Sequence, residues 1–216
     1  MTINQKEFDK ILKKNFLFEK FPIIAVAVSG GPDSMSLLFL LQNWIKKKEG
    51  NLVALIIDHK LRNESSKEAK IIKDYLISNN INAQIISINK NKIKKKTMGE
   101  ARDNRYHALE QYCSKKKIFH LFLGHHFDDN LETYLIRKIS GSHFAGLNSI
   151  KIKSYFKNIQ ILRPLLEYKK KNILEYCKNN KIFYVNDPSN ENNNYSRVII
   201  RKYLSKEVIL SKAIKK

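Results

Sequence analysis

Two glycines stand among hydroxyl and acid side chains in the run Ser29-Gly30-Gly31-Pro32-Asp33-Ser34. Such a run is suited to holding an anion. Glycine lets the chain turn tightly and bring backbone N–H groups against a phosphate. A helix that opens at the same point adds its first-turn amides and its positive dipole end, and Ser29 and Ser34 add hydroxyl donors. No Gly-Lys-Ser/Thr ending follows, so this is not a Walker loop; Gly-x-Gly-x-x-Gly is absent, so it is not the dinucleotide fingerprint either. A Walker lysine works at the β- and γ-phosphates. Here an acid, Asp33, sits among the donors instead. That suits a site holding pyrophosphate through Mg2+, with reaction at the α-phosphorus. A plain strand–turn–helix capped by Asp33 or Ser34 would use the same residues.

Four other constellations could join this one. Asp58 closes an apolar run and is followed by His59, Lys60, Leu61 and Arg62; it reads either as a nucleotide contact or as a solvated strand end. Arg102, Arg105 and Tyr106 fall on adjoining helix positions. They suit a two-pronged grip on phosphate or carboxylate, or surface pairing with Glu100 and Asp103. The third is His125-His126-Phe127-Asp128-Asp129-Asn130-Leu131-Glu132. Acids here could cap a helix, but two histidines and three acids in eight residues exceed what capping needs. Adjacent histidines on an extended backbone diverge, which argues against a shared zinc ion. Asp187-Pro188-Ser189-Asn190, with Arg197 and Arg201 four apart, forms a last polar group, read as a phosphate contact or a solvated face.

The elements that must position these residues follow from hydrophobic periodicity. Short branched runs at 23–28, 52–57, 84–88 and 119–123 read as buried strands. Residues 3–19, 34–48, 65–78, 97–117 and 129–139 read as helices. This alternation implies an α/β fold, an open parallel sheet with helices on both faces. The glycine turn then sits at the carboxyl end of the first strand, where such sheets bind ligands. Residues 89–96 and 141–147 read as loops. Residues 159–166 suggest a short strand ending at Arg163-Pro164, 169–179 a helix, 183–186 an extended segment, and 196–205 and 206–214 closing helices. A division into an N-terminal helix (1–20), a catalytic domain (21–205) and a short tail (206–216) is expected.

The 216 residues are 43% hydrophobic and carry a formal charge of +21. The hydrophobic share can build a core, which excludes a wholly disordered chain. No apolar run approaches the about 20 residues of a membrane span, and no secretory leader is visible. The charge favours a phosphate-rich partner, although a drift toward Lys, Asn and Ile would also produce lysine runs. Two cysteines, Cys113 and Cys177, are too few for a disulfide framework or a four-cysteine zinc site. A reducing, cytoplasmic setting is expected, or the equivalent compartment of an organelle of bacterial descent. The oligomeric state is left open, a homodimer among the options.

Taken together these blocks resemble the PP-loop ATP pyrophosphatase superfamily and, within it, the tRNA(Ile)-lysidine synthase family. The glycine turn at 29–34 is shared across the superfamily. The narrower likeness lies in Asp58-His59-x-Leu61-Arg62, Ala101-Arg102-x-x-Arg105-Tyr106, His125-His126-x-Asp128-Asp129-x-x-Glu132-Thr133, Gly141-x-x-x-x-Gly146-Leu147, Arg163-Pro164-Leu165, and Asp187-Pro188-Ser189-Asn190 with Arg197 and Arg201.

The resemblance implies a Rossmann-like PP-loop fold. It also implies ATP with Mg2+, a tRNA(Ile) with a CAU anticodon, and free L-lysine joined to C2 of the wobble cytidine through an adenylated intermediate. On this likeness Ser29, Gly30, Gly31, Pro32, Asp33, Ser34 and Asp58 meet the nucleotide, and Asp33 places the metal. Asp129 and Glu132 bind the lysine ε-amine, one of them acting as base. Arg105 and His126 contact phosphate or base, and Arg102, Arg163, Arg197 and Arg201 contact substrate. Val198 and Lys60 depart from the family pattern. The family usually continues into C-terminal domains that grip tRNA; the lysine load here is expected to compensate, giving an affinity that falls steeply with salt.

Overall fold

The structure, a computed structural model, describes residues 2–58, 63–88, 98–141, 150–185 and 200. Six strands form one sheet in the order β3-β2-β1-β4-β6-β5. They are β1 (Ile23–Val28), β2 (Asn51–Asp58), β3 (Asn82–Ser87), β4 (His120–Phe122), β5 (Lys153–Phe156) and β6 (Ile159–Leu162). All neighbours pair in parallel except β5 and β6, which are antiparallel. The parallel sheet expected from the sequence is therefore present, with an added antiparallel edge. β5 escaped the sequence reading because only four residues pair, and they alternate between exposed and half-buried. Beyond β6 the chain folds into a single 3-10 turn, Pro164–Glu167, so the short strand expected within 159–166 ends at Arg163-Pro164 as read.

Strand residues alternate between two faces, as the period of two requires. Ile24, Val26 and Val28 of β1 point into one apolar cluster, and Ala25 points into the other. The larger cluster lies under α1 (Gln5–Asn15), α2 (Pro32–Lys46), α3 (Asn63–Ser78) and α6 (Lys170–Asn179). The smaller is covered by α4 (Met98–Lys115) through Tyr106, Leu109 and Cys113. α5 (Phe127–Ile139) follows β4. α1 forms because the Asn4 side chain accepts from the Glu7 amide at 2.9 Å and Phe8, Ile11 and Leu12 line one face. It ends earlier than its apolar pattern suggested, where Phe16 turns extended and donates back to the Leu12 carbonyl. α2 is apolar nearly all round because it is enclosed by β1, β2, α1 and α6.

Consecutive connections carry β1, β2 and β3 one way across the sheet and β4 and β6 the other. The reversal lies between β1 and β4. In such sheets the ligand crevice lies at the carboxyl ends of the two strands that flank this point. Residues 59–62, 89–97, 142–149, 186–199 and 201–216 lie outside the described residues, and with them the readings placed on 89–96, most of 141–147, 187–190, Arg197, Arg201 and the closing helices.

Candidate functional site

The glycine turn forms one wall of this crevice. Gly30 has φ +84°, and a Cβ built on it would run into the Ile72 side chain of α3. The positive φ calls for glycine, and a larger residue would also have to push Ile72 aside. Gly31 caps α2 with no side chain of its own, and Pro32 takes the first helical position, where its missing N–H costs nothing. The serines stitch the turn from within. Ser34 Oγ donates to the Gly31 carbonyl at 3.0 Å, receives the Ser29 amide at 3.2 Å and lies 3.2 Å from Ser29 Oγ. The Gly30 carbonyl accepts from the Val185 amide at 2.9 Å, so the strap after α6 is fastened to the turn.

The facing wall comes from the end of β4. Gly124 lets it approach, because a Cβ there would stand 3.0 Å from the Asp33 carbonyl carbon and the Ser34 nitrogen. His126 follows as the N-cap of α5, with its amide donating to Asp129 Oδ2 at 3.0 Å. Its imidazole is buried among acids. Nε2 lies 3.6 Å from Asp129 Oδ2 and 3.8 Å from Asp33 Oδ1, and Nδ1 lies 3.5 Å from Asp128 Oδ2. The glycine turn and the acid cluster thus meet at one histidine. The buried side chains of α5 are Asp129 and Glu132. Burying a carboxylate is costly unless it has a partner or a task, so two inward-facing acids on one helix mark this end of α5 as a candidate site.

α6 completes the site. Its first amide, Lys170 N, donates to Asp128 Oδ2 at 2.6 Å, while the Phe127 amide of α5 donates to the Tyr168 carbonyl at 2.9 Å. The two helix starts therefore cap one another. The Lys170 ammonium reaches Asp33 and bonds both carboxylate oxygens, at 2.6 and 2.7 Å. Sequence reading missed Lys170, which looked like one more lysine in the run 169–171. The signal that could have found it was the lack of a lysine in the glycine turn itself.

Among the described residues no group of three or more His, Cys, Asp and Glu side chains could hold a metal ion. Mg2+ does not need such a cage, because it takes one or two carboxylates beside substrate phosphates and water. Asp33, a hard oxygen donor at the start of α2, fits that use in kind, with its charge met by Lys170 in the structure as it stands.

The basic face of α4 borders the acids. The Arg102 and Arg105 guanidinium carbons lie 5.5 and 5.9 Å from the Tyr106 ring centroid. Arg163 is buried. It donates through Nη1 to the Lys151 carbonyl at 3.0 Å and to Ser154 Oγ at 2.8 Å, and through Nη2 to the Tyr106 hydroxyl at 3.5 Å. Burial alone would raise the Tyr106 pKa, but Arg163's bond and charge, together with the charges of Arg102 and Arg105, outweigh it and hold the pKa below the ordinary tyrosine value. Between this face and Asp129 sits His125, pushed down to about 3 by burial and then by Arg163, which keeps its ring neutral.

Asp58 is buried at the end of β2 and accepts from Ser65 Oγ at 2.9 Å and Ser66 Oγ at 2.6 Å, so it ties the start of α3 to the sheet. Both cysteines are buried, with thiols raised to about 12 for Cys113 and about 11 for Cys177 by desolvation. Neither presents a thiolate near neutral pH. No helix among the described residues is long and apolar enough to cross a membrane.

The family described as the PP-loop domain matches residues 1–208. A tRNA(Ile)-lysidine synthase from Orientia tsutsugamushi is 39% identical over 194 residues, which cover 89% of this chain and 43% of that protein. One from Wolbachia pipientis wMel is 38% identical over 185 residues, 84% of this chain and 42% of that protein. The chain thus spans less than half the length of these relatives. Among solved structures, a U34-tRNA thiolase from Methanococcus maripaludis superposes with a TM-score of 0.76 at 19% identity, covering 94% of this chain and 73% of that one. At that identity the likeness concerns the fold alone.

Proposed function

The chain belongs to the PP-loop domain family, and on that footing we propose that it acts as a tRNA(Ile)-lysidine synthase. The reaction is ATP-dependent ligation of L-lysine to C2 of the wobble cytidine in a tRNA(Ile) with a CAU anticodon, releasing AMP and pyrophosphate. One observation carries this reading: Asp129, beside the buried Glu132, meets the glycine turn's Asp33 at His126. An enzyme that first activates a base with ATP and then couples an amine to it needs these two features side by side. The identity to lysidine synthases of Orientia and Wolbachia supports the same reading.

A carbonyl oxygen on cytosine is a poor leaving group, and transfer of AMP to it makes a good one. Ser29, Gly30, Gly31, Pro32 and Ser34 cradle the triphosphate tail, and the first-turn amides of α2 receive the charge of the departing pyrophosphate. Mg2+ held at Asp33 would offset charge on the phosphates. Asp58 supports the nucleotide side of the crevice. The lysine ε-ammonium is inert until it loses a proton. Asp129 and Glu132 bind it, and one of them accepts that proton. Arg105 and His126 contact the phosphate or the base of the adenylated intermediate. Arg102, Arg197 and Arg201, with the positive field of the whole chain, would contact tRNA phosphates; Arg163 supports that surface through its bonds to Ser154 and the Tyr106 hydroxyl rather than by touching substrate. Such an enzyme works in the cytoplasm or a bacterial-type organelle.

The test is mass spectrometry of nucleosides from a CAU-anticodon tRNA(Ile) transcript incubated with the protein, ATP and lysine. Lysidine and AMP should appear only when tRNA, ATP and lysine are all present. AMP release that ignores either tRNA or lysine would overturn the proposal.

A further inference from the structure

The glycine turn lacks the lysine that Walker loops carry, yet a lysine is at hand. Lys170 arrives from the start of α6, 137 residues along the chain, and sets its ammonium on both oxygens of Asp33. Its placement is not casual. Its backbone is held by Asp128, and α6 packs on α2, where Cys177 Sγ donates to the Pro32 carbonyl at 3.5 Å. The side chain is 36% exposed, so the ammonium is reachable from solvent. A lysine stem is flexible, and its three donors can be re-aimed without moving the helix.

We propose that Lys170 is the phosphate-binding lysine of this site, supplied in trans to the loop by α6. Before nucleotide arrives, it neutralises Asp33 beside the phosphate position. When the triphosphate enters and Asp33 turns to other company, the same ammonium engages the terminal phosphates. The inference rests on the ATP-binding reading of the glycine turn. It explains why an acid can stand inside a phosphate loop: its charge is cancelled until the anion is bound.

The experiment measures binding of inorganic pyrophosphate, ATP and AMP by calorimetry to the wild-type chain, Lys170→Met, Lys170→Arg, Asp33→Asn and the double variant Asp33→Asn/Lys170→Met. Loss of one charge-assisted contact should weaken pyrophosphate and ATP about tenfold in Lys170→Met. AMP, which lacks the terminal phosphates, should bind as before, and arginine should restore most of the loss. The double variant separates the two roles of Lys170. If the lysine only balanced Asp33, removing both charges would leave pyrophosphate affinity equal to that of Asp33→Asn. The proposal expects it about tenfold weaker. Equal affinity, or a Lys170→Met chain that binds pyrophosphate like wild type, overturns it. A wild-type chain that binds neither ATP nor pyrophosphate overturns the phosphate-loop reading itself, and this inference with it.

Discussion

Ile72 of α3 fills the space where a side chain on Gly30 would stand, so the glycine turn and the helix after β2 are fitted to one another. The turn also depends on φ +84°, a region that costs a residue with a Cβ about 1 kcal/mol or more. Gly30→Ala should therefore lower stability and weaken ATP binding by at least about tenfold. Adding Ile72→Ala removes the collision but not the φ cost. Ile72 is itself a buried core residue, so the double variant should lose less melting temperature than the two single changes add up to, while ATP affinity stays low. Wild-type ATP affinity in the double variant would mean that the turn's conformation is unimportant.

Asp129 is more than a carboxylate near the crevice, since its Oδ2 also accepts the His126 amide at 3.0 Å and so helps start α5. Asn preserves an acceptor there and removes only the charge and the ability to take a proton. Asp129→Asn should melt close to wild type and bind ATP normally, while lysidine formation falls by about a hundredfold or more. Unchanged turnover in the nucleoside assay would remove Asp129 from the mechanism. An equal loss in ATP affinity would make it structural.

Much of this site was legible because its chemistry is local. Ser29 to Ser34 span one turn, and His126 to Glu132 one helix start, so spacing alone brings those residues together. What could not be read were the contacts set by how the elements pack and turn on one another. Lys170 meets Asp33 only because α6 packs on α2, and nothing in the lysine run 169–171 marks which member turns inward. Asp58 was read as a nucleotide contact or a strand end, and its bonds to Ser65 and Ser66 depend on how α3 leaves β2. The edge strand β5 was invisible, because four half-exposed residues carry too little periodicity.

That missing strand matters for Arg163. Beside β5 its guanidinium finds Ser154 and the Lys151 carbonyl, and from α4 the Tyr106 hydroxyl. A buried side chain so committed should be a structural tie first. Arg163→Met leaves a carbonyl and two hydroxyls short of a donor. It should cost about 3 kcal/mol in denaturant unfolding while the KM for ATP changes little. A variant as stable as wild type but defective toward tRNA would return Arg163 to the substrate surface.

The last consequence concerns acid. His125 sits among Arg102, Arg105 and Arg163, and burial with those charges brings its pKa down to about 3. In the unfolded chain an ordinary imidazole takes up a proton below about 6.5. Between these limits the unfolded state binds a proton that the folded state refuses, so stability must fall as pH falls. Linkage puts the loss from this one residue at about 2 kcal/mol by pH 5, before most carboxylates titrate. His125→Gln cannot take up that proton in either state. Urea melts across pH 7.5 to about 5 should therefore show the wild type losing stability more steeply than the variant, with the gap closing toward neutral pH. Parallel curves would mean that the folded protein protonates His125 as readily as the unfolded chain does. The arginines around it would then have to be neutralised by groups other than the acids of α5.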